Sequence, residues 1–192
     1  MRTVRSDPHL ATSLPNVAPN GTASQSSLWD LGDAWRAIDG NRNPNYFDGS
    51  CSHTLSERTV WWSLLLPATY RITFISITSR DEIRGTINNA TILIGNDLEN
   101  NGNNNPRCAI IPSIPPRSTR TFHCQGMIGR LVNVLLSDAN EDRVLIMCEV
   151  EVYGEPAAPA PSFSAAVMGR SVAVVERKLC WSDALFYCRD FY

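Results

Sequence analysis

The fold class is indicated first by the segment Leu145-Ile146-Met147-Cys148-Glu149-Val150-Glu151-Val152-Tyr153. From Cys148 onward, apolar residues alternate with acidic residues and a terminal tyrosine. Alternation with a period of two residues is typical of a β-strand, in which successive side chains point to opposite faces. The segment therefore predicts a strand that presents Cys148, Val150 and Val152 to one side and Glu149, Glu151 and Tyr153 to the other.

Upstream of this strand, short segments with the same extended character are separated by clusters of Asn, Gly and Pro. Many short strands with such turns are typical of a β-sandwich or barrel. A single helical turn is predicted at Ala34 to Ile38, and no longer stretch keeps a helical period. The sequence thus predicts an all-β fold. The upstream candidate strands are Trp61 to Leu66, Arg71 to Ser79, Ala90 to Ile94, Cys108 to Ile111, Ser118 to Cys124 and Leu131 to Leu136.

The 192 residues are enough for one ordinary domain, or for one domain and a fragment of another. Residues 1–15 have no pattern and are predicted to be disordered, 16–154 form the β domain, and the Pro/Ala-rich residues 155–162 form a linker. Residues 163–192 then combine a strand at Ser171 to Val175 with a helix face formed by Trp181, Leu185 and Cys188. We expect this segment to be the truncated start of a second domain.

Charge and motif content exclude several classes of function. The chain has 17 Lys and Arg against 19 Asp and Glu, for a net charge of -2. Proteins that bind nucleic acids or anionic membranes usually carry a basic face, so neither partner is expected. No apolar run approaches the roughly 18 residues of a membrane-spanning helix. Hydrolase, zinc-protease and nucleotide-binding motifs are absent from the sequence, and no enzymatic activity is expected.

Cysteine usage favours an oxidising compartment. The six cysteines lack the Cys-x-x-Cys spacing of zinc and redox sites, so disulfide bonds in a secreted protein are the leading interpretation. N-glycosylation sequons at Asn20 and Asn89 agree with secretion. The alternative is a cytosolic protein with free thiols. Residues 1–14 contain no apolar stretch like that of a secretory signal, and we expect the natural chain to begin upstream.

The segment Asp39-Gly40-Asn41-Arg42-Asn43-Pro44-Asn45 concentrates side-chain oxygens at short spacing, as a hard cation such as Ca²⁺ requires. It is not an EF-hand, because Pro44 and Ser50 stand where that motif needs its glycine and its closing glutamate. A cation would need backbone carbonyls and a further carboxylate, for which Glu149 is available. The alternative is a polar turn whose side chains bond only to backbone amides.

His53 and Arg80 are candidate binding residues at either end of the segment that contains Trp61 and Trp62. An imidazole and a guanidinium form directional hydrogen bonds with hydroxyl groups, which suits a neutral polyol ligand. The alternative is that each is an ordinary surface or capping side chain.

Four motifs in this order resemble the F-type lectins, also called fucolectins: Ala37-Ile38-Asp39-Gly40-Asn41-Arg42, Gly49-Ser50-Cys51-Ser52-His53-Thr54, Ile77-Thr78-Ser79-Arg80 and Cys148-Glu149-Val150-Glu151-Val152-Tyr153-Gly154. The resemblance covers about Asn16 to Gly154. It implies a jelly-roll, discoidin-like β-barrel, a structural Ca²⁺ ion and recognition of terminal L-fucose by one histidine and two cationic side chains.

Carried onto this chain, the resemblance assigns His53 and Arg80 to the first two sugar-binding positions. The following loop is one residue shorter than the family's, which brings Thr86 near the position of the second arginine, with Asp81 directly after Arg80. Arg84 is a substitute cation that we expect to point toward solvent. Tyr46 and Phe47 match aromatic residues expected beside the fucose methyl group. The alternative function is an adhesion or scaffold module that has lost the sugar site and binds protein partners.

The resemblance also assigns the ligands of the cation and the disulfide pairs. It implies bonds between Cys51 and Cys148 and between Cys108 and Cys124. From about Phe163 the chain resembles the opening of a C-type lectin domain. We expect weak binding at each site, strengthened by homo-oligomers or tandem domains. The implied calcium ligands are the backbone oxygens of Arg36 and Asn41, the side chains of Asp39, Ser50 and Glu149, and the carbonyl of Cys148.

Overall fold

The computed structural model describes residues 14–157, 163–167 and 170–174; for Arg84 and for the two last segments it describes the backbone alone. The predicted disordered segment up to residue 13 and the predicted helix after Trp181 lie outside the described residues. No helix in the described part of the chain is long and apolar enough to cross a membrane.

The described residues form β-strands joined by loops that contain single 3₁₀ turns. The turn predicted at Ala34–Ile38 is present, as a 3₁₀ helix. The other turns are Ala18–Asn20, Tyr46–Asp48, Ile83–Gly85 and Glu99–Gly102. The strands are β1 (Thr22–Gln25), β2 (Ser52–His53), β3 (Thr59–Ser79), β4 (Ile87–Gly95), β5 (Arg107–Ile114), β6 (Thr119–Ser137), β7 (Ile146–Pro156), β8 (Phe163–Val167) and β9 (Arg170–Val174).

Strands β1 to β7 form one antiparallel sheet in the order β2-β7-β3-β6-β4-β5, with β1 paired to the start of β3. The two longest strands, β3 and β6, change neighbours along their length. The first part of β3 lies between β1 and β6, and its second part lies between β6 and β7. The register between β3 and β6 shifts after Leu65 and again after Ile72. Such bulges bend a strand, and the sheet curls into two layers.

The core lies between these layers. Alternate residues of β3, such as Val60, Trp62 and Leu64, are fully buried, and they pack with residues of β4, β6 and β7. The indole N–H of Trp62 donates to the carbonyl of Ala34 at 3.0 Å, which anchors the Ala34–Ile38 turn on the core. The predicted all-β fold is confirmed. However, the segments predicted as separate strands at 61–66 and 71–79 form the continuous strand β3, and those predicted at 118–124 and 131–136 form the continuous strand β6.

The face of β7 opposite the core is also buried. Val150 and Val152 belong to the core, as the alternation predicted, yet Glu149 and Glu151 on the other face are buried too. The loop that follows the Ala34–Ile38 turn covers this face: the guanidinium of Arg42 donates from Nε to Oε2 of Glu151 at 3.1 Å. A buried carboxylate is costly unless it is paired with a cation or a hydrogen-bond donor. This face of β7 is therefore a candidate binding site.

Both disulfides that the resemblance implied are present, Cys51–Cys148 and Cys108–Cys124. The first joins the residue before β2 to β7.

The chain divides after Pro156 into two compact units. Strand β7 extends to Pro156, opposite Tyr70, so it includes the first two residues of the predicted linker. In the second unit, β8 and β9 form an antiparallel hairpin.

Candidate functional site

A pocket of about 410 Å³ brings His53 and Arg80 together. His53 ends β2, which pairs with the start of β7, and Arg80 directly follows the last residue of β3. Both residues therefore sit where strands of the same layer meet a loop, on a rigid support. The pocket is lined by Trp29, Phe47, His53, Thr54, Ser56, Arg80, Glu82, Val144 and Ile146.

The backbone and ring of His53 are both held in place. Its N–H donates to the carbonyl of Gly32 at 2.8 Å, and a Cβ atom on Gly32 would lie only 2.5 Å from the Cβ of His53. Nδ1 lies 2.7 Å from the carbonyl oxygen of Thr54. Because a carbonyl can only accept, Nδ1 carries the proton and Nε2 of the neutral ring is a hydrogen-bond acceptor.

The electrostatic environment keeps His53 neutral. Burial lowers the pKa of the imidazole below its ordinary value of 6.5, and the charge of Arg80 acts in the same direction. The carbonyl of Thr54 and the charge of Asp30 partly oppose this shift. At neutral pH the pocket thus contains one fixed acceptor at Nε2.

Arg80 is the buried cation of the pocket, with 5% of its surface exposed. Its guanidinium carbon lies 4.9 Å from the ring centre of Tyr46 and 5.4 Å from that of Phe47, within the range of cation–π attraction. Nη2 lies 3.1 Å from Oε1 of Glu82. The buried Nε has no hydrogen-bond acceptor among the described residues. Because that nitrogen is closed off from solvent, a ligand in the pocket would accept from the terminal nitrogens of the guanidinium instead.

Aromatic rings form the walls around these polar groups. The ring of Trp29 lies 4.4 Å from that of His53 between centres, and Phe47 extends from the pocket edge with 76% of its surface exposed. An acceptor, a cationic donor, a carboxylate and aromatic faces within one small pocket are suited to a sugar, which has hydroxyl groups on its edge and an apolar face.

The other residues predicted for the sugar site lie in different places in the structure. Tyr46 is buried beneath Arg80, and its hydroxyl donates to the carbonyl of Trp29 at 3.3 Å. Asp81 is not a lining residue: its carboxylate pairs with Arg117 at 3.3 Å, and Glu82 supplies the carboxylate beside Arg80. Thr86 lines a neighbouring groove. The side chain of Arg84 lies outside the described residues.

Sequence reasoning missed Trp29 and Glu82. Trp29 comes from a distant loop and reaches the pocket because its N–H donates to the carbonyl of His53 at 3.0 Å, a contact that no local pattern reveals. For Glu82 a signal existed: an acidic residue two positions after Arg80 can fold back on the guanidinium in a tight turn. Gly85 permits that turn, since a Cβ there would lie 2.6 Å from the Cβ of Arg80.

A second candidate site lies on the outer face of β7. Both carboxylate oxygens of Glu149 are buried and make no hydrogen bond of standard geometry to the described residues. Burial raises the pKa of Glu149 to about 8, and the charges of Asp39 and Glu151 add to the effect, against the Gly40 amide and Arg42. A buried carboxylate without a hydrogen-bond partner, next to two further carboxylates, is the arrangement expected at a cation site from which the cation has been left out.

The residues around Glu149 fit a hard cation. Asp39, Asn41 and Asn43 each accept a hydrogen bond from the backbone N–H two residues on, which fixes the loop. Ser50 Oγ lies 2.6 Å from the carbonyl oxygen of Asn43 and 2.9 Å from that of Asn45, and its single proton is shared between these two acceptors. In the described chain no three His, Cys, Asp or Glu side chains gather as ligands, so carbonyl and amide oxygens must complete a coordination shell. That donor chemistry is the one that calcium prefers. Arg36, whose backbone oxygen was predicted as a ligand, donates from its guanidinium to Gly49.

Comparison with known proteins gives consistent similarities. A family model described as "NedA-like, galactose-binding domain" matches residues 36–134. Fucolectin-1 of Anguilla japonica is 49% identical over 144 residues, which cover 71% of this chain and 79% of that protein.

Two solved structures extend these similarities. An F-lectin from the serum of Morone saxatilis, the striped bass, is 46% identical with a TM-score of 0.69, covering 73% of this chain. This chain spans 47% of that lectin's length. A Streptococcus pneumoniae fucose binding module is 26% identical with a TM-score of 0.60, covering 74% of this chain and 96% of the module.

Proposed function

The chain belongs to the fucolectin, or F-type lectin, family, and from this membership we propose that its pocket binds a terminal L-fucose residue of a glycan. It is a carbohydrate-binding lectin domain and not an enzyme. The observation that carries the proposal is the convergence of His53 and Arg80 in one pocket that is edged by Trp29 and Phe47.

The polar groups supply complementary hydrogen bonds to one hydroxyl. A hydroxyl can donate to Nε2 of His53 while its oxygen accepts from the guanidinium of Arg80. Glu82 accepts from a neighbouring hydroxyl and holds the guanidinium in orientation. Because these side chains are fixed before the ligand arrives, little conformational entropy is lost on binding.

The aromatic groups supply the apolar part of recognition. Trp29 and Phe47 lie at the pocket edge, where a ring face can cover the methyl group and the C–H face of the sugar. The site is small and partly open, so single-site affinity is modest, and useful avidity comes from several sites in one assembly.

We further propose that a Ca²⁺ ion stabilises the loop over β7. Its ligands would be Glu149, Asp39 and oxygens of Arg36, Asn41, Ser50 and Cys148, and the bound ion would neutralise the buried carboxylates. An extracellular location is proposed on two grounds: the chain carries two disulfides, and the similar striped bass lectin comes from serum.

Isothermal titration of the chain with L-fucose tests the proposal. Saturable binding is expected, and Arg80→Ala should weaken it at least about tenfold, because a hydrogen bond to a charged group is lost. Arg117→Ala is the matched control, since Arg117 lies near the same loop but pairs with Asp81 outside the pocket. Absence of L-fucose binding, or equal affinity of both variants, would contradict the proposal and favour a protein-binding role for this fold.

A further inference from the structure

We propose that Gln25 is a positioning residue of the L-fucose pocket, which acts by holding the ring of Trp29 at the pocket edge. The inference rests on the proposed function and deepens it, because Gln25 does not itself line the pocket. Gln25 is the last residue of β1, and its backbone is paired with Trp62 of β3. Its side-chain amide therefore projects from a strand that is fixed in the sheet.

The amide of Gln25 holds both ends of the loop that residues 26–33 form. Its Nε2 lies 2.7 Å from the carbonyl oxygen of Ser27, 3.0 Å from that of Gly32 and 3.1 Å from that of His53. Because carbonyl oxygens only accept, the NH2 side of the amide faces them, and its two protons are shared among the three. Oε1 is buried without a donor among the described residues, so the three carbonyls determine how the amide is oriented.

Trp29 lies between the two carbonyls of the loop that Gln25 contacts. Its backbone N–H donates to the carbonyl of His53 at 3.0 Å, and this oxygen also accepts from Gln25. Its own carbonyl accepts from the N–H of Gly32 at 3.1 Å. The indole lies 5.3 Å from the ring of Tyr46 between centres and leaves 38% of the Trp29 surface exposed. A side chain so partly packed depends on its backbone to keep its place.

The backbone of His53 depends less on this amide than Trp29 does. His53 belongs to β2 and is paired with Ile146 of β7, so the sheet keeps it in place when Gln25 is changed. The 26–33 loop contains neither a strand nor a helical turn. Loss of the amide is therefore expected to displace Trp29 and to leave the polar pair of His53 and Arg80 intact. A wall that must be ordered again on binding costs affinity.

Isothermal titration with L-fucose tests the inference through a double-mutant cycle. Gln25→Met keeps the length of the side chain without a donor, and Gln25→Glu replaces the donor by a second acceptor. Each should weaken binding about fivefold, as the loss of a hydrogen bond implies, and Trp29→Ala should weaken it about tenfold. Adding either Gln25 change to Trp29→Ala should have no further effect, because Gln25 then has no ring left to position.

Hydrogen exchange supplies a readout that does not depend on the sugar. The amide of Trp29 should exchange about tenfold faster in both Gln25 variants, whereas the amides of β3 should keep their protection. Ser24→Ala is the matched control, since it removes the 2.8 Å hydrogen bond between Ser24 Oγ and Ser63 Oγ on the same strand, away from the loop. It should change neither L-fucose affinity nor exchange at Trp29.

The outcomes separate the inference from the proposed function. If the wild-type chain binds L-fucose and both Gln25 variants bind it equally well, the inference is overturned and the pocket stands. The same holds if Trp29→Ala leaves the affinity unchanged, or if the effects at the two positions multiply in the double variants. Loss of protection throughout β3 would show a general loss of stability and would overturn the inference too. If the wild-type chain binds no L-fucose, the proposed function and the inference both fall.

Discussion

Two side chains, His53 and Arg80, give the pocket its polarity, and each is positioned by a glycine. Gly32 contacts the backbone of His53, and Gly85 contacts the side chain of Arg80, at distances that leave no space for a methyl group. Neither glycine has the left-handed backbone that only glycine adopts easily. Their role is to permit close approach, and an alanine there would act through the contact alone.

Gly85→Ala is predicted to weaken L-fucose binding about tenfold, because the new methyl group must displace either the turn or the Arg80 side chain. Calorimetry measures the affinity, and thermal unfolding shows whether the fold is affected. Unchanged affinity in a folded variant would contradict the positioning role of Gly85.

Acidification is predicted to abolish sugar binding through His53. Its pKa is lowered in the folded protein, so the neutral acceptor persists down to and somewhat below pH 6.5. Once the pH falls through the lowered pKa, Nε2 gains a proton, can no longer accept, and places a second positive charge beside Arg80. The folding stability contributed by the neutral ring is lost as the pH falls from 6.5, the ordinary pKa of the group, to the lowered pKa of the folded protein.

Affinity for L-fucose measured between pH 8 and about pH 5 should therefore be level at first and fall only below pH 6.5. An affinity that rises on acidification would show that an imidazolium, and not the neutral ring, makes the contact.

At the scale of elements, alternation located the strands but not their continuity. Pro67 and Gly126 look like turn residues in the sequence, so β3 and β6 were each predicted as two strands. In the structure both continue through bulges, where a missing N–H and a positive φ are tolerated. Strands β1 and β2, with four and two residues, are too short to show a period.

Local sequence patterns also revealed only some of the residues of the site. The resemblance located His53 and Arg80, because they lie in contiguous motifs. Trp29 could not be found this way, since it enters the pocket through a long-range backbone contact with His53. For Glu82 the spacing from Arg80 was a signal, but the choice between Asp81 and Glu82 depends on how the turn at Ile83–Gly85 folds back.

The two disulfides are predicted to contribute unequally to the free energy of unfolding. Cys51–Cys148 joins residues 97 apart, and Cys108–Cys124 joins residues 16 apart. In the chain-entropy model, replacing the first pair by serine lowers the free energy of unfolding by up to ~4.7 kcal/mol and replacing the second by about 3 kcal/mol.

Urea denaturation of the two double-serine variants measures this difference. The Cys51–Cys148 variant should also lose L-fucose affinity, because that bond ties the residue before β2, the strand that ends at His53, to β7. A larger loss of stability from the Cys108–Cys124 variant would contradict the ranking.

At the scale of the whole molecule, the proposed cation couples the loop at Asp39 to β7, and β7 lies between β2 and β3 in the sheet. Saturating Ca²⁺ is therefore predicted to raise the melting temperature of the chain, since a ligand that binds only the folded state stabilises it. Glu149→Gln should abolish most of this increase. Without metal, the variant should be at least as stable as the wild type, because a neutral amide replaces a buried carboxylate.

Differential scanning calorimetry with Ca²⁺ and with a chelator provides the comparison. Glu155→Gln is the matched control, as Glu155 is an exposed glutamate on the same strand. An equal calcium response in wild type and Glu149→Gln would show that Glu149 is not a ligand.

The crystal structure of the chain with bound L-fucose tests the central claim most directly. The account predicts that one sugar hydroxyl lies within about 3.2 Å of both Nε2 of His53 and a guanidinium nitrogen of Arg80, with the methyl group against Trp29 or Phe47. A sugar bound at another place on the domain, or one whose hydroxyls touch neither residue, would contradict it.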